Sequence, residues 1–260
     1  MPPTVLLPSL DGSLTPFTLR DPPAWTAPGG AFRCRVAYAA AHVVVDPRRD
    51  VDVFTEAAID WESTLAYRRH LWRHGFAVAE AMDTAQRGSG LGWPAAQELI
   101  RRSLAESRAE GGTIACGAGT DHLAPLASVT LDDVERAYAE QIGFVEGEGG
   151  RVILMASRAL ARAATSADDY RRVYGAVLRQ TSQPVILHWL GDMFDPALAG
   201  YWGTTDLVEA MDTCLAIIHE HAAKIDGIKI SLLDAQREID MRRRLPASVR
   251  MYTGDDFNYA

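Results

Sequence analysis

The sequence predicts an α/β fold, a (β/α)8 barrel of which seven strands can be counted, preceded by a small hairpin. Three observations carry this. Seven short apolar runs recur, at residues 35–45, 76–82, 113–117, 152–156, 184–190, 227–231 and 249–253. They are apolar on both faces, as strands covered on both sides must be. Amphipathic stretches separate them, and most starts lie roughly 30 to 45 residues apart, room for one strand and one crossover helix. A doubly wound sheet for dinucleotides would need a glycine fingerprint after its first strand. Val45 is followed instead by Asp46-Pro47-Arg48-Arg49-Asp50.

Residues 1–32 stand apart as a hairpin or cap, with Val5-Leu6-Leu7 and Phe17-Thr18-Leu19 flanking a turn at Asp11-Gly12. Pro22, Pro23, Pro28, Gly29 and Gly30 then make a loop. The barrel domain is read over 33–260. Its helices have legible ends. Asp60 caps the helix of Trp61, Leu65 and Leu71, and Gly75 closes it. Pro94 opens the next. Thr130 with Asp133, and Ser166 with Asp169, form capping boxes. Thr204 or Thr205 starts a helix over 206–223, and Ser231 with Asp234 starts one over 232–245. Asp195 before Pro196 caps a short turn. After the seventh run only residues 254–260 follow. The barrel is therefore expected to be open between its first and seventh strands, and the chain is read as part of a longer protein.

Hydrophobic residues make up 48% and charged residues 23%, enough apolar mass for a packed core. The net charge of −8 argues against nucleic acid as the main partner. No apolar run approaches the ~18 residues of a membrane span, and residues 1–11 lack the basic and apolar regions of a signal peptide. Cys34, Cys116 and Cys214 are odd in number and far apart, which suits a reducing cytoplasm.

In such barrels the active site gathers at the C-terminal ends of the strands. Those ends carry His42; Glu80, Asp83 and Thr84; Asp121; Ser157 and Arg158; His188; Lys229 and Ser231; Asp255 and Asp256. Lys229 is the strongest candidate. The chain has 24 arginines but only two lysines, Lys224 and Lys229. Arginine stays protonated in proteins, whereas a desolvated lysine loses its proton and attacks a carbonyl. Alternation places Lys229 opposite Ile228 and Ile230, inside the barrel and near a carboxylate among Asp83, Asp255 and Asp256. The bland reading of Lys229 is a buried ion pair. His188 is a natural acid–base group or, equally, a packed core histidine.

The order and spacing of Asp60-Trp61-Glu62-Ser63, Ala115-Cys116-Gly117-Ala118-Gly119, Pro184-Val185-Ile186-Leu187, Gly227-Ile228-Lys229 and Gly254-Asp255-Asp256 resemble the dihydrodipicolinate synthase/N-acetylneuraminate lyase superfamily. Met155-Ala156-Ser157-Arg158, the stretch His188 to Pro196 and the stretch Tyr252 to Tyr259 mark a dihydrodipicolinate-synthase-like branch of it. The resemblance implies a TIM barrel, a class I Schiff-base lyase or aldolase working through Lys229, and homo-oligomers, dimeric or tetrameric. It implies no cofactor and no metal. His188 and Ser157 are the further catalytic candidates; Asp83, Thr84, Arg158, Asp255 and Asp256 are those for substrate binding. Two departures stand out. The Gly-Thr-Thr-Gly-Glu stretch that holds a keto-acid carboxylate in the superfamily reads Asp83-Thr84-Ala85-Gln86-Arg87 here. Ser157 and Arg158 occupy the neighbourhood of its proton-relay tyrosine. Asp83 would repel a carboxylate, so a keto sugar or polyhydroxylated keto acid is expected in place of pyruvate, with Arg87 or Arg158 as anchor for an acid group. Two other readings remain open: a metal-dependent sugar aldolase, isomerase or epimerase with Glu80, Asp83, His188 and Asp255 as ligands, and a barrel without catalysis.

Overall fold

The computed structural model describes residues 3–21, 35–52, 56–88, 90–123 and 128–254. The hairpin forms first, from β1 (Thr4–Pro8) and β2 (Leu14–Thr18), paired antiparallel with Val5 opposite Phe17. Asp11 fixes its turn by accepting from the Ser13 N–H and hydroxyl. Both strands are exposed along their whole length. The boundary expected at residue 32, Cys34, Asp255 and Asp256 lie outside the described residues.

Seven parallel strands follow, each paired with the next in chain order. They are β3 (Tyr38–Ala40), β4 (Ala77–Glu80), β5 (Ile114–Ala118), β6 (Arg151–Leu154), β7 (Val185–Leu190), β8 (Ile225–Ser231) and β9 (Arg250–Thr253). Among the described residues β3 and β9 are the two ends of the sheet and share no ladder. The barrel is open there, as expected, and the Tyr38 and Tyr252 rings of the two edges pack edge to face at 5.8 Å. The first strand is much shorter than the apolar run suggested. Val45, at the end of that run, leaves the sheet to bridge Ile59.

The helices start where their caps predict. Asp60 accepts from Ser63 to begin α1 (Trp61–Arg73). Pro94 sits in the first turn of α2 (Trp93–Glu110). Reciprocal capping boxes open α3 (Leu131–Gly147) at Thr130 and Asp133, and α5 (Ala167–Gln180) at Ser166 and Asp169. Between these two lies a helix the sequence reading missed, α4 (Arg158–Ala163). It is only one and a half turns of good helix formers behind a serine cap, too short to show a period. Two starts differ from expectation. Asp206 itself caps α6 (Leu207–Glu220) by accepting from Val208 and Glu209, while Thr204 merely takes the Asp206 N–H. Asp234 caps α7 (Ala235–Arg244), because Ser231 still belongs to β8.

Alternation sorts the strand residues into two layers. Outward-facing Val78, Cys116, Leu154, Leu187, Ile228 and Ile230 join the main core against the helices. That core includes the fully buried Trp189 and Trp202, whose rings pack edge to face at 5.9 Å. Burying a large aliphatic side chain contributes roughly 1.5–3 kcal/mol, so this layer holds the barrel together. The inner layer is small: Ala79, Met82, Ala115, Ile153 and Ile186. Alanines and glycines on the inner face of β4 and β5 leave space inside the barrel.

Candidate active site

That space is a cavity of about 740 Å³, lined by Lys229, Ala79, Met82, Ile153, Ile186 and Tyr252 among others. Gly227, Lys229 and Ser231 take the inner face of β8 while Ile228 and Ile230, both 0% exposed, face the helices. The outer pair anchors the strand; the lysine between them is aimed inward. Gly254 lies against it: a Cβ there would sit 2.6 Å from the Lys229 Cε and 2.4 Å from the Ser231 hydroxyl oxygen. Only glycine lets the chain after β9 pass this close to the lysine. In the sequence Gly254 is one residue of the Gly254-Asp255-Asp256 motif, with no signal of this close approach.

His188 is the register partner of Lys229 on the adjacent strand. It is 1% exposed, and its Nε2 has no hydrogen bond among the described residues. Burial first, and then the Lys229 charge, hold its imidazole well below the ordinary histidine range. Its Nδ1 lies 3.9 Å from the Asp83 Oδ1. The expected carboxylate near Lys229 is therefore corrected in part: Asp83 reaches His188, and among the described residues no carboxylate pairs with Lys229. Asp83 follows an unusual strand end. Ala81 has a left-handed φ of 53°, its N–H bound by Glu80 and its carbonyl by Arg87. This costs about 1–2 kcal/mol for a non-glycine residue. It breaks the alternation, so that Met82, not Ala81, enters the inner layer. A short 3-10 turn, Asp83–Ala85, then carries Asp83 and the half-buried Thr84 at the barrel mouth.

Glu80 faces the other way. Arg68 on α1 grips it with two bonds of 2.8 Å, both side chains fully buried behind the sheet. It is removed from the expected metal-ligand set, and among the described residues no three His, Cys, Asp or Glu gather. Arg87 is likewise corrected as an anchor for substrate. Its guanidinium donates to both Asp121 oxygens, to Gln141 and to the Ala81 and Gly117 carbonyls. Burial pushes the Asp121 carboxyl up, but Arg87 and Gln141 outweigh it and leave it below the usual range.

A second cavity of about 370 Å³ lies over the ends of β5 to β7, lined by Asp83, Asp121, Arg158, Arg162 and Asp195 among others. Met82 and Met155 stand between it and the lysine chamber. Both sulfurs lie within 3.1 Å of where a Gly117 Cβ would be, so the two close over that glycine. Arg158 donates from Nε to Asp195 at 2.5 Å, and its side chain is otherwise exposed. Ser157 is buried. Its hydroxyl caps α4 and meets the Thr120 hydroxyl at 2.6 Å. Tyr138, Tyr174 and Tyr201, missed at the sequence level, surround it: the Tyr201 oxygen accepts from the Ser157 N–H, and Tyr138 donates to the Met155 carbonyl. Burial raises the Tyr138 hydroxyl well above its usual range. This cluster holds the end of β6 and does not line the lysine chamber.

A family model described as "Protein of unknown function (DUF993)" matches residues 5–260. The chain belongs to this family. No curated protein matches the sequence. Solved structures match in fold. One is YagE, a prophage protein of the dihydrodipicolinic acid synthase family from E. coli K12 in complex with pyruvate, at TM-score 0.60 and 12% identity over 85% of this chain and 64% of that one. Another is dihydrodipicolinate synthase from Oceanobacillus iheyensis, at TM-score 0.52 and 15% identity over 84% and 60%. A third is 2-keto 3-deoxygluconate aldolase from Picrophilus torridus, at 0.53 and 13% over 84% and 67%. The chain thus spans about 60% to 67% of the length of these structures. The superfamily resemblance read from the sequence holds at the level of the fold: an open (β/α) barrel of seven strands with an antiparallel hairpin before it. Among the described residues no helix is long and apolar enough to cross a membrane.

Proposed function

We propose that this protein is a class I lyase or aldolase that forms a Schiff base between Lys229 and a keto acid or keto-sugar-derived substrate. The observation that carries the reading is Lys229 aimed into the cavity inside the open barrel, in register with the buried His188, whose imidazole burial holds well below its ordinary range. The aldolase and synthase names of the fold neighbours support the same kind of chemistry. The Lys229 amine attacks the carbonyl carbon, the carbinolamine loses water, and the resulting cationic imine withdraws electrons from the adjacent bond. Cleavage or formation of a carbon–carbon or carbon–oxygen bond next to that imine follows.

Asp83, which lines the second cavity, and Thr84 beside it are the groups we assign to substrate hydroxyls. Asp83 accepts hydrogen bonds but repels a carboxylate, which favours a polyhydroxylated substrate over pyruvate. Arg158, with guanidinium nitrogens left over at the mouth, is the anchor we assign to an acid group. Asp255 and Asp256 retain substrate binding as their proposed role. Ser157, a catalytic candidate in the sequence, is not assigned that role, since its hydroxyl is committed to a cap and to Thr120. A metal-dependent reading is not favoured, since Glu80 is committed to Arg68. Homo-oligomers, a cytoplasmic setting and a domain boundary at residue 32 belong to the same proposal. Borohydride reduction in the presence of 2-keto-3-deoxygluconate or pyruvate tests it. An adduct with wild type and none with Lys229→Ala is expected, the sugar acid reacting at lower concentration. Equal adducts with both proteins would overturn the reading.

A further inference from the structure

The imine reading gives no group the task of proton transfer, and two groups stand out: His188, the register partner of Lys229 on β7, and Asp83, at the barrel mouth beside the second cavity. Each has a buried atom with no hydrogen bond among the described residues, Oδ1 of Asp83 and Nε2 of His188. Unpaired buried polar atoms are costly, and a polar group with no structural partner is a candidate for a chemical one. The geometry is specific. His188 has Asp83 on one side, its Nδ1 3.9 Å from the carboxylate, and shares register with Lys229 on the other. The gap to Asp83 is too long for a hydrogen bond, yet such contacts shorten when a substrate closes the site. Tyr138, Tyr174 and Tyr201 are committed to one another, to Ser157 and to Met155, and Tyr252, which lines the chamber, donates its hydroxyl to Asp226 at 2.7 Å.

Resting on the Lys229 reading, we propose that His188 is the general base and acid of this site and that Asp83 is its positioning residue. The Nε2 lone pair takes a proton from the carbon next to the imine carbon. The C–H electron pair becomes the carbon–carbon double bond of an enamine, and the imine electrons return to the Lys229 nitrogen. The imidazolium exchanges this proton with solvent, and delivery of a proton from Nε2 back to carbon reverses the step or completes it on product. Asp83 accepts from the Nδ1–H, which fixes the tautomer that leaves Nε2 free, and its charge stabilises the transient imidazolium. Among the described residues, the groups facing His188 with charge are Asp83, from the turn after β4, and Lys229, from β8. Low proton affinity of the resting ring, set by burial and by Lys229, keeps it in the basic form at neutral pH.

The test uses 2-keto-3-deoxygluconate in D2O with the full chain. Exchange of the hydrogens on the carbon next to the ketone is followed by NMR, and imine formation by borohydride reduction and mass on a parallel sample after long incubation. In His188→Asn and His188→Gln, the adduct on Lys229 persists while exchange falls about 100-fold or more. Asp83→Asn, at a partly exposed position, keeps the adduct and slows exchange about tenfold. It also shifts the acid limb of the pH profile to lower pH, because the imidazolium loses its anionic neighbour; a mere substrate-binding role would change KM and leave the limb in place. Adduct and exchange both intact in the His188 variants would overturn the relay and leave the Lys229 reading standing. No adduct in the wild type would overturn both.

Discussion

Removing one member of the Arg68–Glu80 pair exposes how the candidate site is held. The pair is completely buried, with side-chain exposures of 0% for both. Arg68 donates twice to Glu80 at 2.8 Å, and also to the His42 carbonyl at 2.5 Å and the Thr64 carbonyl at 3.2 Å. It thus ties α1, the end of β4 and the segment after β3 together. Arg68→Met leaves a carboxylate buried without its counter-ion, and breaking such a pair costs roughly 3–5 kcal/mol. A domain of this size has only about 5–15 kcal/mol in total. At about 2–4 °C per kcal/mol, the midpoint of thermal unfolding should drop by roughly 6–20 °C. The double variant Arg68→Met with Glu80→Leu removes both charges and should recover most of that loss. Urea unfolding at pH 7 and thermal melts read both variants. A single Arg68→Met variant within about 0.5 kcal/mol of wild type would refute the reasoning, and a double variant worse than the single would refute the assignment of the cost to an unpaired charge.

Four further outcomes are expected. Gly254→Ala brings a methyl group into the Lys229 Cε and should cut imine trapping at least tenfold while the far-ultraviolet circular dichroism stays that of the wild type; unchanged trapping would show that the lysine is not confined there. Ser157→Ala should lose about 1 kcal/mol of stability through the α4 cap and retain trapping, which separates a cap from a catalytic hydroxyl. Between its depressed folded value and about 6.5, the unfolded chain holds a proton on His188 that the folded chain does not. Stability therefore falls as pH drops below about 6.5, and the His188→Gln variant should show a shallower fall in urea midpoints from pH 7 to 5 than the wild type. Thr130→Ala, which removes one half of the α3 capping box, should cost about 1 kcal/mol, read as a lowered urea midpoint.

The barrel was legible because buried parallel strands and capped helices both leave short-range signatures. Asp60, Thr130 and Ser166 each begin a helix where sequence alone placed them. Lys229 was legible from its rarity and its place in β8. What stayed hidden depends on contacts distant in sequence or on backbone geometry. Glu80 looked like one strand-end carboxylate among several, and only the arrival of Arg68 from α1 turns it into a structural ion. Arg87 looked free to bind substrate until Asp121, Gln141 and two carbonyls used all its donors. The left-handed Ala81 has no sequence signature, yet it decides that Met82 enters the chamber and where Asp83 starts. The run at 35–45 misled because apolar residues that bridge to Ile59 read the same as those in a ladder.

The central claim is a Schiff base on Lys229, and the chain offers an unusually clean readout because it has only two lysines. Lys224 is the internal control, its amine donating to the Thr181 carbonyl at 2.6 Å outside the chamber. The deciding measurement is peptide mass mapping after borohydride reduction with 2-keto-3-deoxygluconate. One reduced adduct on the peptide holding Lys229, with Lys224 unmodified, is the predicted result. An adduct on Lys224 alone, or none on either lysine, would contradict it.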